Sequence, residues 1–195
     1  MKLVLASKNA KKLVEMNDIL SHLGVEVCSE ADAGVDVEVE ETGTTFEENS
    51  LLKAKAVMEA SGLPAIADDS GLCVDCLNGA PGVYSARYGG EGLDDPARCC
   101  LLLANMRGQL TRAAKFVSVI TCCFPNGDVL TARGECPGTI AYAAMGEGGF
   151  GYDPVFFVPE LKKTFAQLSA EEKNAVSHRG KALEAFQKKL EEYLK

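Results

Sequence analysis

The chain of 195 residues is 47% hydrophobic and 25% charged, proportions typical of one soluble globular domain that spans residues 1–195. Its formal net charge of −8 argues against a nucleic-acid-binding protein, because such proteins present a basic surface to the phosphate backbone. No stretch approaches the ~20 apolar residues of a membrane-spanning helix, and the apolar run at the N-terminus is too short for a signal peptide, so we expect a cytoplasmic protein without a membrane partner.

The first predicted elements alternate between strand and helix. The apolar run over 2–6 is typical of a short buried strand. Apolar residues then recur at helical spacing from Leu13 to Leu23, and Gly24 is a natural end for this helix. Residues 25–29 alternate between apolar and polar, which predicts a second strand.

A second helix and a buried strand follow. Thr45 and Glu48 have the spacing of a capping box at the start of a helix, and Gly62 is placed to end it. The apolar run over 65–68 predicts a strand that ends in carboxylates, with a turn at Gly71 before a separate strand begins.

The middle of the chain predicts a helix and then a hairpin. Asp95 is expected to cap a third helix, with Pro96 at its first position. Two longer strands are predicted over 114–124 and 129–138, and the residues between them, 125–128, read PNGD, a strong hairpin signal.

The C-terminal part predicts a glycine-rich loop and helices. The loop over 146–157 leads into a short strand, and Ser169 and Glu172 form a second capping box. Apolar residues from Leu183 to Tyr193 mark a final amphipathic helix. Early strand–helix alternation followed by a hairpin predicts an α/β protein with a mixed sheet.

A basic cluster lies between the first strand and the first helix. The free N–H groups and the dipole at a helix N-terminus attract anions, and lysine is normally unfavourable there. A phosphate site and a solvated basic turn both explain the cluster. Its residues are Ser7, Lys8, Asn9, Ala10, Lys11 and Lys12.

Acidic residues form the second group. Glu40 and Glu41 lie upstream of the second helix, where the helix dipole alone does not explain them. Asp68 and Asp69 are adjacent, so a continuing strand directs them to opposite faces. Mg²⁺ is usually held by one or two carboxylates and substrate phosphates. Lys53 is placed either to pair with a nearby glutamate or to reach a phosphate.

Aromatic and basic residues near the C-terminus complete the pattern. Phe150 and Tyr152 could stack on a planar ring, and Lys173, His178 and Arg179 recur within a short segment. A Mg²⁺-bound nucleotide polyphosphate is the ligand that accounts for all three groups. These residues alone do not separate a hydrolase from a transferase or a binding module.

Eight cysteines are spread along the chain. In the cytoplasm they are expected to be free thiols. Cys73 and Cys76 have the CxxC spacing of metal and redox sites, but no second CxxC accompanies them. We therefore interpret this pair as structural.

The motifs together match a known enzyme family in order and over nearly the whole chain. The chain resembles the inosine triphosphate pyrophosphatase family in the segments LASKNAKKLVEM, EETGTTFEENSLLKAKA, AIADDSGLCVDCLNGAPGVYSARYGG, GGFGYDPVFFVP and LSAEEKNAVSHRGKAL. The resemblance implies an elongated mixed sheet flanked by helices, two lobes around a central cleft, and a homodimer. It also implies Mg²⁺-dependent hydrolysis of inosine, deoxyinosine and xanthosine triphosphates (ITP, dITP and XTP) to the monophosphate and pyrophosphate.

The resemblance also implies roles for single residues. Asp69 is expected to be the general base that activates water and a Mg²⁺ ligand, with Glu41, or alternatively Glu40, as the second metal carboxylate. Asp68 is expected to be a supporting acid, and Lys8 stands where many relatives carry Gly or Asn. The implied substrate-binding residues are Ser7, Lys8, Asn9, Ala10, Lys11, Lys12, Lys53, Ser70, Phe150, Gly151, Tyr152, Asp153, Lys173, His178 and Arg179.

These residue types explain a preference for 6-keto purines. Donors of His178, Arg179 or backbone N–H groups would pair with O6 of hypoxanthine, whereas the 6-amino group of adenine would leave them unpaired. Guanine shares O6, so its exclusion requires a further feature, such as steric exclusion of its 2-amino group. Two alternatives stay open, a pyrophosphatase for other modified nucleotides and a nucleotide-binding module without turnover.

Overall fold

The computed structural model describes residues 1 to 195 and contains one β-sheet of seven strands. The strands are β1 Lys2–Leu5, β2 Glu26–Ser29, β3 Ala65–Val74, β4 Ala113–Cys123, β5 Val129–Ile140, β6 Phe156–Val158 and β7 Lys163–Thr164. Their order across the sheet is β2-β1-β3-β4-β5-β6-β7. Because β1 is parallel to β2 and β3 while β6 is antiparallel to β5 and β7, the predicted α/β fold with a mixed sheet is confirmed.

Five α-helices accompany the strands. They are α1 Ala10–Leu20, α2 Phe46–Ser61, α3 Asp95–Asn105, α4 Ala170–Val176 and α5 His178–Tyr193. Short 3₁₀ turns lie at Ser21–Leu23, Asp75–Leu77, Gly82–Arg87, Asp153–Val155 and Phe165–Gln167. None of the helices combines the length and the apolar character needed to cross a bilayer.

The chain divides into two compact units. Unit 1 consists of Met1–Asp69, Ser118–Gly134 and Ala182–Lys195, and unit 2 consists of Ser70–Val117 and Glu135–Lys181. The chain passes from one unit to the other at four points, and one of them lies between Asp69 and Ser70, two consecutive residues of β3.

Each unit has its own apolar core. In unit 1, Leu3 of β1, Leu20 of α1 and Phe186 of α5 belong to one buried cluster, as expected from the helical spacing of apolar residues in α1 and α5. In unit 2 the ring centroids of Phe116 and Phe156 are 4.6 Å apart. This aromatic cluster lies beneath the cavity described below.

Both predicted capping boxes and the predicted end of α2 are confirmed. Thr45 and Glu48 form a reciprocal capping box at the start of α2, and Ser169 and Glu172 form another at the start of α4. Gly62 ends α2 with φ +67°, a left-handed conformation that costs glycine little.

The prediction that a strand ends at the paired carboxylates is wrong. Strand β3 continues through Asp68, Asp69 and Gly71 as far as Val74. Both carboxylates are buried, but lysines of α1 and α2 face them, so the strand need not end for their charges to be compensated. Gly71 is a buried residue within this strand rather than a turn.

The predicted cap of α3 is displaced by one residue. Asp94, not Asp95, is the N-cap, and its side chain accepts a hydrogen bond from the Ala97 amide at 2.9 Å. Asp95 is consequently the first residue of α3, and its carboxylate is used elsewhere, as shown below.

Candidate functional site

A lysine between two carboxylates forms the centre of the site in unit 1. Lys53 of α2 places its Nζ 2.7 Å from Glu41 Oε1 and 3.6 Å from Asp69 Oδ1. The Lys53 and Asp69 side chains are only 18% and 10% exposed, so their interaction is weakly screened by water. The capping box fixes the start of α2 and thereby the turn on which Lys53 lies.

Asp68 belongs to a different pair. Lys12 of α1 places its Nζ 2.8 Å from both carboxylate oxygens of Asp68. Side chains alternate along a strand, so Asp68 and its neighbour Asp69 meet different lysines. The expectation that the two acids are not equivalent agrees with this arrangement.

The Asp69 carboxylate is poised to accept a proton. Burial raises the pKa of Asp69 to about 6, against the opposing effect of Lys53 and with a further increase from Glu41. Burial alone would lower the pKa of Lys53, but the charges of Asp69 and Glu41 outweigh it and raise that pKa. Asp69 Oδ2 is buried and accepts no hydrogen bond within the chain, which leaves one oxygen of this acid for a ligand.

Asn49 supports this group and was not singled out in the sequence as a functional residue. Its Oδ1 accepts a hydrogen bond from the Gly43 amide at 2.8 Å, and its amide acts to lower the pKa of Asp69. Asn49 Nδ2 is itself buried without a hydrogen-bond partner. A fully buried asparagine in the first turn of α2 thus holds the segment that follows Glu41 and lies close enough to the Asp69 carboxylate to lower its pKa.

The group suits a cation whose remaining ligands are oxygens of the substrate. No three or more His, Cys, Asp or Glu side chains gather into a ready metal site, and all eight cysteines, including Cys73 and Cys76, are free thiols. Glu41 and Asp69 instead provide two carboxylates that share one ammonium group, and Asp69 Oδ2 has no partner. Mg²⁺ is commonly held by one or two carboxylates and phosphate oxygens, so these residues fit that ion.

The structure distinguishes the two glutamates. Glu41 contacts Lys53, whereas Glu40 is exposed and is not among the main charges that shift the pKa of Lys53 or Asp69. Glu41 is therefore the better placed of the two for a metal.

The basic cluster before α1 is partly engaged in local bonds. Asn9 caps α1, with its Oδ1 accepting from the Lys11 amide at 3.0 Å, and Ser7 Oγ accepts from the Asn9 amide at 3.3 Å. Lys8 forms an exposed ion pair with Asp36 at 2.9 Å.

The same cluster lies beside the lysine of the central group. Ser7 and Lys8 line a cavity of about 170 Å³ together with Lys53, and Ala10 lines a second, larger one beside α1. Lys11 is exposed, and no contact joins its side chain to the central group.

A cavity of about 260 Å³ lies in unit 2. It has the aromatic, amide and cationic lining expected of a site for a planar heterocycle. Its lining residues are Ser70, Gly71, Ser85, Ala86, Asp95, Arg98, Phe116, Phe150, Gly151, Tyr152, Asp153, Lys173, His178 and Arg179. All eight residues predicted from Ser70, the glycine-rich loop and the C-terminal motif are therefore together here.

One carboxylate organises the glycine-rich loop. Asp153 Oδ2 accepts hydrogen bonds from Lys173 Nζ at 2.6 Å and from the Phe150 amide at 3.0 Å. The Lys173 ammonium lies 4.5 Å from the centroid of the Phe150 ring, within cation–π range. Phe150 is 64% exposed while its amide is held by Asp153, so much of its ring is available for stacking.

The imidazole of His178 continues the aromatic core of unit 2. Its ring is stacked on Phe116 with centroids 4.8 Å apart and an angle of 13°. His178 is thereby held in orientation at the first residue of α5, beside Arg179 in the lining of the cavity.

Several lining residues were missed in the sequence. Ser85 Oγ accepts from the Leu72 amide at 2.9 Å, and the Ser85 carbonyl accepts from Tyr152 Oη at 2.7 Å. Asp95 Oδ2 accepts from the Gly151 amide at 2.7 Å. Asp95 and Arg98 gave no signal because they lie in a helical pattern in which charged residues normally face water.

Comparisons with known proteins give a consistent result. A model of the Ham1 family matches residues 3–189. A dITP/XTP pyrophosphatase of Desulforamulus reducens is 52% identical over 185 residues, which cover 94% of this chain and 92% of that protein. A dITP/XTP pyrophosphatase of Exiguobacterium is 48% identical over the full length of both chains.

Solved structures agree with the sequence matches. The Ham1 protein of Staphylococcus aureus superposes with a TM-score of 0.94 at 44% identity and covers 99% of this chain and 100% of that one. A nucleoside-triphosphatase/dITP/XTP pyrophosphatase of Mycobacterium abscessus has a TM-score of 0.84 at 46% identity, over 95% of this chain and 98% of that one.

Proposed function

The chain belongs to the Ham1 family, and from this premise we propose that it hydrolyses ITP, dITP and XTP to the nucleoside monophosphate and pyrophosphate. The observation that carries the proposal is Asp69, a buried carboxylate with one oxygen unpartnered and a lysine beside the other. The next residue along β3, Ser70, lines the cavity of unit 2. One strand thus carries both the reactive acid and a residue of the base pocket.

The chemical step follows from the groups in unit 1. A water oxygen attacks the α-phosphorus, the bond from that phosphorus to the bridging oxygen breaks, and pyrophosphate leaves. Asp69 accepts the proton of the attacking water, for which a pKa of about 6 keeps most of the carboxylate ionised near neutral pH. Lys53 remains charged and offsets negative charge on the phosphate oxygens.

Mg²⁺ is the proposed metal, with Glu41 and Asp69 as its protein ligands. When bound, this ion supplies Lewis-acid stabilisation of the phosphate charge and lowers the pKa of bound water. The remaining phosphate contacts are assigned to the basic cluster, in which Lys12 carries its charge at the edge of the same group. The assigned residues are Ser7, Lys8, Asn9, Ala10, Lys11, Lys12 and Lys53.

The base is assigned to the cavity of unit 2. Phe150 stacks on the purine while Lys173, His178 and Arg179 provide donors toward O6. The 6-amino group of adenine is itself a donor, so it cannot accept hydrogen bonds from these residues. A buried donor left unpaired costs about 1–3 kcal/mol. This cost accounts for discrimination against ATP.

The proposal also covers assembly and location. We expect a homodimer in the cytoplasm, as the family resemblance implies. Exposed apolar side chains such as Leu110 and Tyr142, at 91% and 76% exposure, offer surface that a second copy could cover. Sedimentation analysis of the purified protein tests the dimer directly.

A nucleotide panel tests the function. ITP, dITP, XTP, GTP and ATP are each incubated with the protein and Mg²⁺, and pyrophosphate and orthophosphate are measured separately. We expect pyrophosphate from the first three and little product from ATP. Orthophosphate as the primary product would refute attack at the α-phosphorus, and binding without product would favour the non-catalytic alternative.

The variant Asp69→Asn tests the assigned base. Its turnover should fall by at least 10³-fold, in line with the loss of a positioned general base and a metal ligand. Its affinity for ITP should remain close to that of the unmodified protein. Turnover near the normal rate would remove Asp69 from the base role.

A further inference from the structure

Arg98 is a largely buried cation whose Nε donor has no acceptor within the chain. Its side chain is only 14% exposed, and its nearest carboxylate, Asp95, lies 3.9 Å away, beyond hydrogen-bond distance. Arg98 Nε is buried without a hydrogen-bond partner. A guanidinium carries five N–H donors, and leaving such donors unpaired in a buried site is costly.

The surroundings of Arg98 point to a ligand as the missing acceptor. Arg98 lines the cavity of unit 2. Lys173 is bonded to Asp153. His178 and Arg179 interact within the chain, and each of them also has one buried nitrogen without a hydrogen-bond partner. Arg98 is the lining cation on α3, and its Nε donor is left for a molecule in the cavity.

Arg98 also comes from a different element than the residues assigned to O6. Lys173 lies on α4 and His178 on α5, whereas Arg98 lies on α3. Asp95, on the same face of α3, holds the Gly151 amide of the loop that carries the stacking ring. A purine whose O6 faces the α4–α5 side presents a different edge to α3.

From these observations we propose that Arg98 reads position 2 of the purine and makes the site favour xanthine over hypoxanthine and guanine. The inference rests on the proposed function, since it assumes a purine in this cavity. Xanthine carries a carbonyl at C2, which accepts from the guanidinium, and its ring ionises readily near neutral pH, which favours a cation. Hypoxanthine has only hydrogen at C2 and leaves the donors unpaired.

The same contact accounts for the exclusion of guanine. The 2-amino group of guanine is a donor, so it would face the donors of Arg98 without an acceptor between them. Steric exclusion of this group, the explanation expected from the sequence, is then unnecessary. The discrimination is electrostatic and depends on one side chain.

Binding of monophosphates tests the inference without relying on turnover. Calorimetry measures the Kd of xanthosine, inosine and guanosine monophosphates for the unmodified protein and for Arg98→Met, Arg98→Lys and Arg107→Met. Arg107 is an exposed arginine just beyond α3 and serves as the matched control. Thermal melting of each variant establishes that it is folded.

We expect the unmodified protein to bind the xanthosine compound more tightly than the inosine compound. Arg98→Met should reduce that ratio about tenfold or more, as for loss of a hydrogen bond to a charged group, and should improve relative binding of the guanosine compound. Arg98→Lys keeps the charge but loses the planar guanidinium, so its ratio should lie between those of the unmodified protein and Arg98→Met. Arg107→Met should leave all ratios unchanged.

A purely structural role for Arg98 gives a different result. If Arg98→Met weakens the binding of all three monophosphates by the same factor, the inference is wrong. It is also wrong if the unmodified protein does not bind xanthosine monophosphate more tightly than inosine monophosphate. A protein that shows the Arg98-dependent preference yet cleaves no triphosphate would refute the proposed function while the inference stands.

Discussion

Lys12 places its ammonium 2.8 Å from both carboxylate oxygens of Asp68, whose side chain is 3% exposed. The next residue, Asp69, faces a different lysine and keeps one oxygen without a partner. Two adjacent acids of one strand therefore have different roles. The charge of Asp68 is compensated within the chain, whereas that of Asp69 is left partly available for a ligand.

The first prediction concerns the stability of this pair. Lys12→Met removes the ammonium from a buried carboxylate and should lower the free energy of unfolding by about 3 kcal/mol, as for a buried ion pair that loses one partner. Lys11→Met, at the exposed neighbouring position, should change it by less than about 0.5 kcal/mol. Urea denaturation measures both. Adding Asp68→Asn to Lys12→Met should restore part of the loss, and equal stability of the two single variants would contradict the assignment.

The second prediction concerns pH and Asp69 in the absence of divalent cations. The pKa of Asp69 rises from 3.8 to about 6 on folding, chiefly through burial, so the folded protein holds this proton more tightly than the unfolded chain. The resulting stability is fully present below about pH 3.8 and is lost as the pH rises through about 6. Asn at position 69 does not ionise, so Asp69→Asn lacks this loss of stability and should be more stable than the unmodified protein at pH 7.5.

The size of this effect is bounded by the change in pKa. A difference of about two pKa units at about 1.4 kcal/mol each gives at most about 3 kcal/mol. Chemical denaturation with EDTA between pH 4.5 and 8 measures it, with Asp18→Asn, an exposed change on α1, as control. The advantage of Asp69→Asn should shrink toward pH 4.5. A constant difference at every pH would show that the Asp69 charge is not the cause.

The sequence predicted local structure well and tertiary partners poorly. Thr45 and Glu48 could be identified as a capping box because both partners lie within four residues. The continuation of β3 past Asp69 could not, because it depends on lysines distant in sequence. Arg98 was missed for the same reason: its position on α3 resembles that of a solvent-facing residue, and only the packed cavity reveals that its side chain is largely shielded from water.

The third prediction separates the two candidate metal carboxylates. Glu41 contacts Lys53, whereas Glu40 is exposed, so the pair provides its own matched control. Glu41→Gln should raise the Mg²⁺ concentration for half-maximal ITP hydrolysis at least tenfold. Glu40→Gln should change it less than about twofold. Rates measured across a Mg²⁺ titration check both values, and a larger effect from Glu40→Gln would move the metal assignment to that residue.

The fourth prediction concerns two glycines of the base-side loop. Gly149 and Gly151 have φ of +74° and +59°, so alanine at either position costs about 1–2 kcal/mol of backbone strain. A Cβ at Gly149 would also collide with the Asp153 carboxylate, whereas a Cβ at Gly151 meets no atom. That carboxylate holds both Lys173 and the Phe150 amide, so only Gly149→Ala disturbs the support of the stacking ring.

We therefore expect Gly149→Ala to raise the KM for ITP at least tenfold and more than Gly151→Ala, with a smaller effect on kcat because Asp69 and Lys53 are untouched. Steady-state kinetics on both variants give this comparison. The collision can be isolated by a double-mutant cycle, since Gly149→Ala should cost less when Asp153 is already replaced by Ala. Equal KM values for the two glycine variants would mean that backbone strain alone governs the loop, and that Asp153 does not hold the ring in place.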